Sequence, residues 1–239
     1  MTEEALLGGR VRIIQAPGGL KAGLDAVALA ASIPARAGQV VLDAGCGAGA
    51  VFLCLLARVP GVSVVAVERD PELAALAVEN AARNGWADRV WVVCGDIADA
   101  GVIAGLGRLH HAAANPPYWP AGTPPPKAIR AGATHADAVP LAAWAVAVLA
   151  PLRHGGTASL VLPAARWAEA AGALRDAGGG GVAMRPLWPR AGVTAKRVIL
   201  ATRRGGRGPD AVLPGLVLHG DAGWTPAAEA MLRDAAPLA

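Results

Sequence analysis

At 239 residues the chain is long enough to bury one sizeable core, and its length suits a single domain. Hydrophobic residues make up 54% of it, a share inflated by alanine, yet no apolar run has the length of a membrane span; the longest, 141–152, is broken by Pro151. The formal charge of +4 is uneven, with 9 Lys/Arg against 11 Asp/Glu in residues 1–120 and 13 against 7 in residues 121–239, so a polyanionic partner would be met mainly by the second half.

Met1-Thr2-Glu3-Glu4 has no basic region ahead of an apolar stretch, and no secretory signal is read there. Cys46, Cys54 and Cys94 are odd in number and lack CxxC spacing. They read as buried thiols of a cytoplasmic protein, not as a disulfide frame or a zinc site.

In chain order, Arg10–Ile14 reads as a short strand before a Pro17-Gly18-Gly19 turn. Gly23-Leu24-Asp25 opens an apolar helix to about Ile33, with Asp25 where a cap would sit. Val40-Val41-Leu42 is a buried strand running into Asp43-Ala44-Gly45-Cys46-Gly47-Ala48-Gly49, and a helix follows over 50–58. Strand, alternate glycines and helix make a nucleotide-binding turn, because glycine lets the backbone approach a ligand and the helix start presents free N–H groups. The spacing is G-x-G-x-G, and Asp43 precedes it. An acid there repels a pyrophosphate but receives an ammonium group, which favours the zwitterionic S-adenosylmethionine (SAM) over a nicotinamide dinucleotide.

A second unit repeats the pattern: strand 63–67 ends at Glu68-Arg69-Asp70, and Pro71 starts a helix to about Asn84. An acid some twenty residues after the glycines is where a ribose diol is held, and Glu68 takes that role. A third strand, 90–94, ends at Gly95-Asp96-Ile97, with Asp96 placed to accept from an adenine amino group and Ile97 to lie against the ring. A fourth, 106–114, runs into Asn115-Pro116-Pro117-Tyr118. Proline stiffens that strand end and removes donors, leaving the Asn115 amide oxygen and the Pro116 carbonyl as two acceptors beside the flat face of Tyr118. The stretch is either a strand stopped by a Pro-Pro turn or a clasp for an NH2 group on a planar base or amide.

Beyond it, Trp119–Ala133 reads as a Pro-rich lid carrying Lys127 and Arg130, followed by a helix over 134–149, a strand over 157–162 and a helix over 164–177. Strands 182–187 and 197–202 close the sheet. Residues 185–209 hold seven cations and no acid, and Arg203-Arg204-Gly205-Gly206-Arg207 reads as an exposed basic turn. The tryptophans read as core or half-buried anchors, and His110 and His111 as strand residues with no catalytic role.

Val41 to Gly49, Glu68, Asp96 and Asn115-Pro116-Pro117-Tyr118 together resemble the ordered motifs of class I methyltransferases that act on amino groups. Gly23-Leu24-Asp25-Ala26-Val27-Ala28-Leu29, Lys196-Arg197-Val198-Ile199-Leu200-Ala201 and the tail Leu216-Val217-Leu218-His219-Gly220 resemble segments of the bacterial tRNA1(Val) adenine N6-methyltransferase family. One departure is Leu24, where the family pattern leads us to expect a hydroxyl-bearing threonine; Asp25 must then do more to hold the methionine end of the cofactor.

The resemblance implies an α/β fold with a seven-stranded, mostly parallel, doubly wound Rossmann-like sheet and an antiparallel closing strand. It implies one domain: a hairpin-and-helix extension over 1–37, a core over 38–204 and an extension over 205–239. The expected activity is SAM-dependent methylation of adenine N6 in tRNA beside the anticodon, with S-adenosylhomocysteine (SAH) as product, no metal, no membrane and no obligate protein partner. Catalysis is assigned to Asn115, Pro116, Pro117 and Tyr118. Cofactor binding is assigned to Lys21, Gly23, Asp25, Asp43, Gly45, Gly47, Gly49, Glu68, Arg69, Asp96, Ile97 and Asn115. RNA contact is assigned to Lys127, Arg130, Lys196, Arg197, Arg203, Arg204 and Arg207. The alternative substrate is another planar amino group, a guanine N2 of ribosomal RNA or a protein glutamine amide. A binding module that has lost catalysis is disfavoured by the intact Asn-Pro-Pro-Tyr.

Overall fold

Short apolar strands that alternate with helices are expected to line up in parallel, because each crossover helix carries the chain back to the edge where the next strand begins. The computed structural model describes residues 1–15, 23–117 and 139–238. An N-terminal antiparallel hairpin of β1 (Thr2–Leu6) and β2 (Val11–Gln15) is followed by α1 (Leu24–Ser32). Then come β3 (Val40–Ala44), α2 (Ala50–Arg58), β4 (Ser63–Glu68), α3 (Pro71–Arg83), β5 (Val90–Cys94), α4 (Ala100–Gly105) and β6 (Leu109–Ala114). After α5 (Leu141–Leu149) follow β7 (Leu152–Pro163), α6 (Trp167–Asp176), β8 (Gly179–Trp188) and β9 (Arg197–Arg204).

Across the sheet these strands run β8-β9-β7-β6-β3-β4-β5, and β9 is antiparallel to both its neighbours. This is the expected seven-stranded core with its antiparallel closing strand. The segment after Arg204 adds β10 (Ala211–Val212) and β11 (Leu216–Val217) to the outer edge of β8, which brings the sheet to nine strands. A small hairpin, β12 (His219–Gly220) with β13 (Gly223–Trp224), leads into α7 (Pro226–Asp234).

Side chains that alternate along the strands split the core in two. Val41, Val64, Ala66, Ala113, Val161 and Ile199 face α1, α2 and α7 on one side. Leu42, Val67, Ala112, Ala114, Leu160 and Leu200 face α5 and α6 on the other. Both faces are covered, which is why the strands read as nearly continuous apolar runs. Among the described residues no helix is long and apolar enough to cross a membrane.

Several boundaries differ from expectation for local reasons. Helix α5 starts at Leu141 directly after Pro140; the expected start at Thr134 lies outside the described residues. Strand β6 starts at Leu109, because Leu106 caps the unforeseen short helix α4. Strand β7 begins five residues early, with an irregularity opposite Leu109 to His111. Residues 164–166 form a 3-10 turn ahead of α6, and β8 begins at Gly179, three residues before the expected strand. Cys94, expected buried, is exposed on the edge strand β5, as are Trp91 on that strand and Trp167 and Trp224 elsewhere.

Two asparagines of α3 fasten the N-terminal hairpin to the core. Asn80, fully buried, donates from Nδ2 to the Ile14 and Ala48 carbonyls, both at 2.9 Å, and accepts the Ile14 N–H at 2.8 Å. Asn84, one turn on, does the same for Arg12. The pair acts as a substitute strand for one edge of β2. Asn80→Ala would leave three part-buried backbone groups without their partner, and we expect it to cost about 3 kcal/mol in urea unfolding. The same change at the half-buried Asn84, whose bonds to Arg12 are solvent-exposed, should cost under about 1 kcal/mol.

Candidate active site at the carboxyl edge of the sheet

Pairing registers bring four strand ends together. Ala44 of β3 lies opposite Val67 of β4 and Ala114 of β6, and Glu68 lies opposite Cys94 of β5. Asp43, Glu68, Asp96 and Asn115 therefore sit along one edge, where open α/β sheets bind ligands.

The glycine loop fixes this edge. Gly45 has φ +68°, and a Cβ there would meet the Trp144 ring of α5 at 2.5 Å, so that position admits no side chain. Gly47 also has a positive φ, +55°, but nothing lies within 4 Å of where its Cβ would point. The backbone is thus bare and approachable at the centre of the loop. Its N–H donates to Glu68 Oε2 at 2.8 Å, and Glu68 Oε1 accepts the Asp70 N–H at 3.0 Å. Glu68 ties the loop to the end of β4 while each oxygen keeps a lone pair.

Asp43 is almost wholly buried, and its Oδ2 accepts the Phe52 N–H at the start of α2 at 3.1 Å. Burial pushes its carboxyl up to about 7; the Phe52 N–H opposes this, and the nearby Glu68 charge adds to it. Asp96 accepts the Ala98 N–H at 2.8 Å and is half-buried beside the buried Ile97. Asp70 caps α3 through the Glu72 and Leu73 N–H groups, with Pro71 at the first helical position, which holds Arg69 on an exposed turn.

At the end of β6, Asn115 is half-buried, Pro116 buried and Pro117 exposed. The Asn115 side chain makes no hydrogen bond among the described residues. Tyr118, Lys21, Lys127 and Arg130 lie outside those residues. Helix α1 is not capped by Asp25; its N-cap is the exposed Gly23, and Asp25 instead accepts from Arg197 Nε at 2.8 Å. That ion pair, between residues 172 apart in sequence, joins α1 to the start of β9 on the same edge, beside the exposed Lys196.

Among the described residues, the cations assigned to RNA contact do not share one surface. Because β9 runs antiparallel, Arg197 lies opposite Pro163 at the carboxyl edge while Arg203 lies opposite Thr157 at the other. Arg204 turns inward and donates to the Ala150 carbonyl at 2.6 Å and to that of Leu152. Sequence reasoning missed Trp144, which shapes the loop, and Asn80, which holds Ala48. The signal for Asn80 was a poor helix former on the apolar face of α3. No group of three or more His, Cys, Asp or Glu is placed to hold a metal among the described residues.

A family of methyltransferase domains matches residues 41–107, the glycine loop through Gly107. The crystal structure of a predicted O-methyltransferase, protein Atu636 from Agrobacterium tumefaciens, superposes with a TM-score of 0.74 at 25% identity, covering 90% of this chain and 98% of that one. The chain has the class I methyltransferase fold. A precorrin-6y C5,15-methyltransferase from Geobacter metallireducens shares the fold, with a TM-score of 0.55 at 18% identity over 80% of this chain and 94% of that one.

Curated proteins named tRNA1(Val) (adenine(37)-N6)-methyltransferase are similar to this chain over part of its length. That of Actinobacillus succinogenes is 34% identical over 143 residues, 59% of this chain and 60% of that protein. That of Yersinia enterocolitica is 36% identical over 104 residues, 42% and 40% of the two chains. The chain spans about half the length of the curated relatives it matches. Over that half, the resemblance expected from the motifs is borne out.

Proposed function

We propose that the protein transfers the methyl group of SAM to N6 of an adenine in tRNA, at the position 3′ of the anticodon. The observation that carries this reading is the Asn115-Pro116-Pro117 strand end, its amide unpaired among the described residues, on the same sheet edge as Asp43 and Glu68. Similarity to curated tRNA1(Val) adenine N6-methyltransferases at 32–38% identity supports the choice of base and RNA.

The residues present suit SAM: Asp43 for the ammonium, Glu68 for the ribose diol, Asp96 and Ile97 for the adenine, and open space over Gly47 for close approach. Lys21, Gly23, Asp25, Gly45, Gly49 and Arg69 complete the proposed cofactor set. Bound there, SAM supplies an electrophilic methyl group on a sulfonium.

An exocyclic adenine nitrogen is a weak nucleophile because its lone pair is spread into the ring. Acceptors at Asn115 Oδ1 and the Pro116 carbonyl, one for each N–H, favour a pyramidal nitrogen whose lone pair is localised. Tyr118 stacks on a base drawn out of its own stack. Held by Asn115 Oδ1 and the Pro116 carbonyl, the nitrogen would present its lone pair in line with the methyl group of a bound SAM, and the proton it sheds on methylation would pass to water. Positioning and electrostatics lower the barrier, with no strong base required.

The solved structure at 25% identity is named as a predicted O-methyltransferase. A hydroxyl offers one proton where this strand end offers two acceptors, which favours an amino group. The test is transfer of labelled methyl from SAM to unmodified total tRNA, followed by nucleoside analysis. Label in N6-methyladenosine is expected. Label in N2-methylguanosine or in protein glutamine would move the reading to another planar amino group, and label on oxygen would overturn it.

A further inference from the structure

The edge of the sheet opposite the transfer site is strongly basic. Arg203 at the end of β9 lies opposite Thr157 of β7, which in turn lies opposite His111 of β6. Arg153 and His154 are exposed near the start of β7, Arg108 is exposed just before β6, and Arg207 is exposed in the turn after β9. His154 packs against Gly205 of that turn, so the β7 and β9 ends form one surface.

Elsewhere on the molecule Arg83, Arg166, Arg175 and Arg233 each pair with an acid. Arg153, Arg203 and Arg207 pair with none among the described residues. Asp210 is held by Arg175, and Asp176 lies exposed at the end of α6. The positive field reaches the neighbouring imidazoles: burial lowers the pKa of His110, and Arg153 lowers it further. Burial, then His110, Arg153 and Arg203, bring His111 down to about 4.

Unpaired, mutually repelling guanidinium groups held together at one edge cost stability unless a polyanion meets them. Val146, a short side chain that lines a groove with Arg108, is exposed beside this cluster, whereas a membrane-surface site holds lipid with longer inserting side chains. We propose that Arg153, Arg203 and Arg207 form a second footing for the phosphate backbone of the RNA substrate, remote from the transfer site. The proposal rests on the RNA reading above and adds where the RNA is held. From Arg203 to Arg197 is six strand steps, about 20 Å, or on the order of six base pairs of duplex. A substrate long enough to span both edges gains from the second footing; a short hairpin does not.

The test compares wild type with Arg153→Gln/Arg203→Gln/Arg207→Gln on full-length tRNA and on a hairpin with a stem of about four base pairs. For the triple variant, KM for tRNA should rise about tenfold at physiological salt, and the slope of log affinity against log salt should shrink by about one for each phosphate no longer neutralised. Its kcat at saturating tRNA, its affinity for SAH and its KM for the hairpin should be unchanged. Wild-type binding of tRNA with an unaltered slope in the variant overturns the footing alone. No tRNA binding by wild type overturns the RNA reading and the footing with it. Should the triple variant misfold, Arg207→Gln alone, in an exposed turn, should give about one-third of the slope change, and no change there also overturns the proposal.

Discussion

Asn115→Ala is expected to lower kcat by about a thousandfold while leaving SAH affinity within a few fold of wild type. The side chain is half-buried and unbonded among the described residues, so its loss leaves no new unsatisfied group and the fold should be as stable as before. What is lost is one of two acceptors that act on the nitrogen only as it becomes tetrahedral. An interaction made in the transition state and not in the ground state appears in kcat rather than in cofactor binding. Asn115→Asp keeps an acceptor but adds negative charge near Asp43 and Glu68, and should retain at least about tenfold more activity than the alanine variant. Single-turnover transfer with saturating SAM separates chemistry from product release. Near-full turnover of Asn115→Ala would remove the two-acceptor mechanism.

The strand ends were legible because their chemistry is local. A glycine loop preceded by an acid, an acid twenty residues on and an Asn-Pro-Pro stop each announce themselves within a few residues, and parallel topology then brings them to one edge. What was not legible depends on partners distant in sequence. Asp25 looks like a cap until Arg197, far along the chain, is seen to take its carboxylate. Cations contiguous around Lys196 to Arg207 look like one patch until the antiparallel run of β9 deals them to opposite edges. Cys94 and Trp91 lie in an apolar run that would be buried in a central strand, but β5 is the last strand of the sheet and leaves them exposed. Gly45 reads as a ligand-approach glycine, yet the group pressing on it is the protein's own Trp144.

Asp43→Asn is expected to weaken SAH binding about a hundredfold at pH 7.5 and to abolish a pH dependence that wild type should show. In the unliganded protein burial holds the Asp43 carboxyl up at about 7, so it is largely protonated at mild acid pH. A ligand ammonium, with an ordinary pKa of about 8, is paired by the carboxylate and not by the acid, so binding must expel this proton. Affinity for SAH should therefore rise about tenfold from pH 5.5 to 7.0, with proton release visible in calorimetry across buffers of different ionisation enthalpy.

Stability gives an independent sign. A carboxyl whose folded pKa is raised contributes stability that is complete below its unfolded value, 3.8, and is lost as pH rises through about 7. His111, brought down to about 4 from 6.5, contributes stability that is present above 6.5 and lost as pH falls through about 4. Between these limits the two trends oppose, so urea midpoints of wild type should change little from pH 4.5 to 6.5. Asp43→Asn leaves the histidine alone to act, and its midpoint should climb with pH over that window. A wild-type SAH affinity that ignores pH, or an Asp43→Asn midpoint as flat as wild type, would show that the buried carboxyl does not carry that proton.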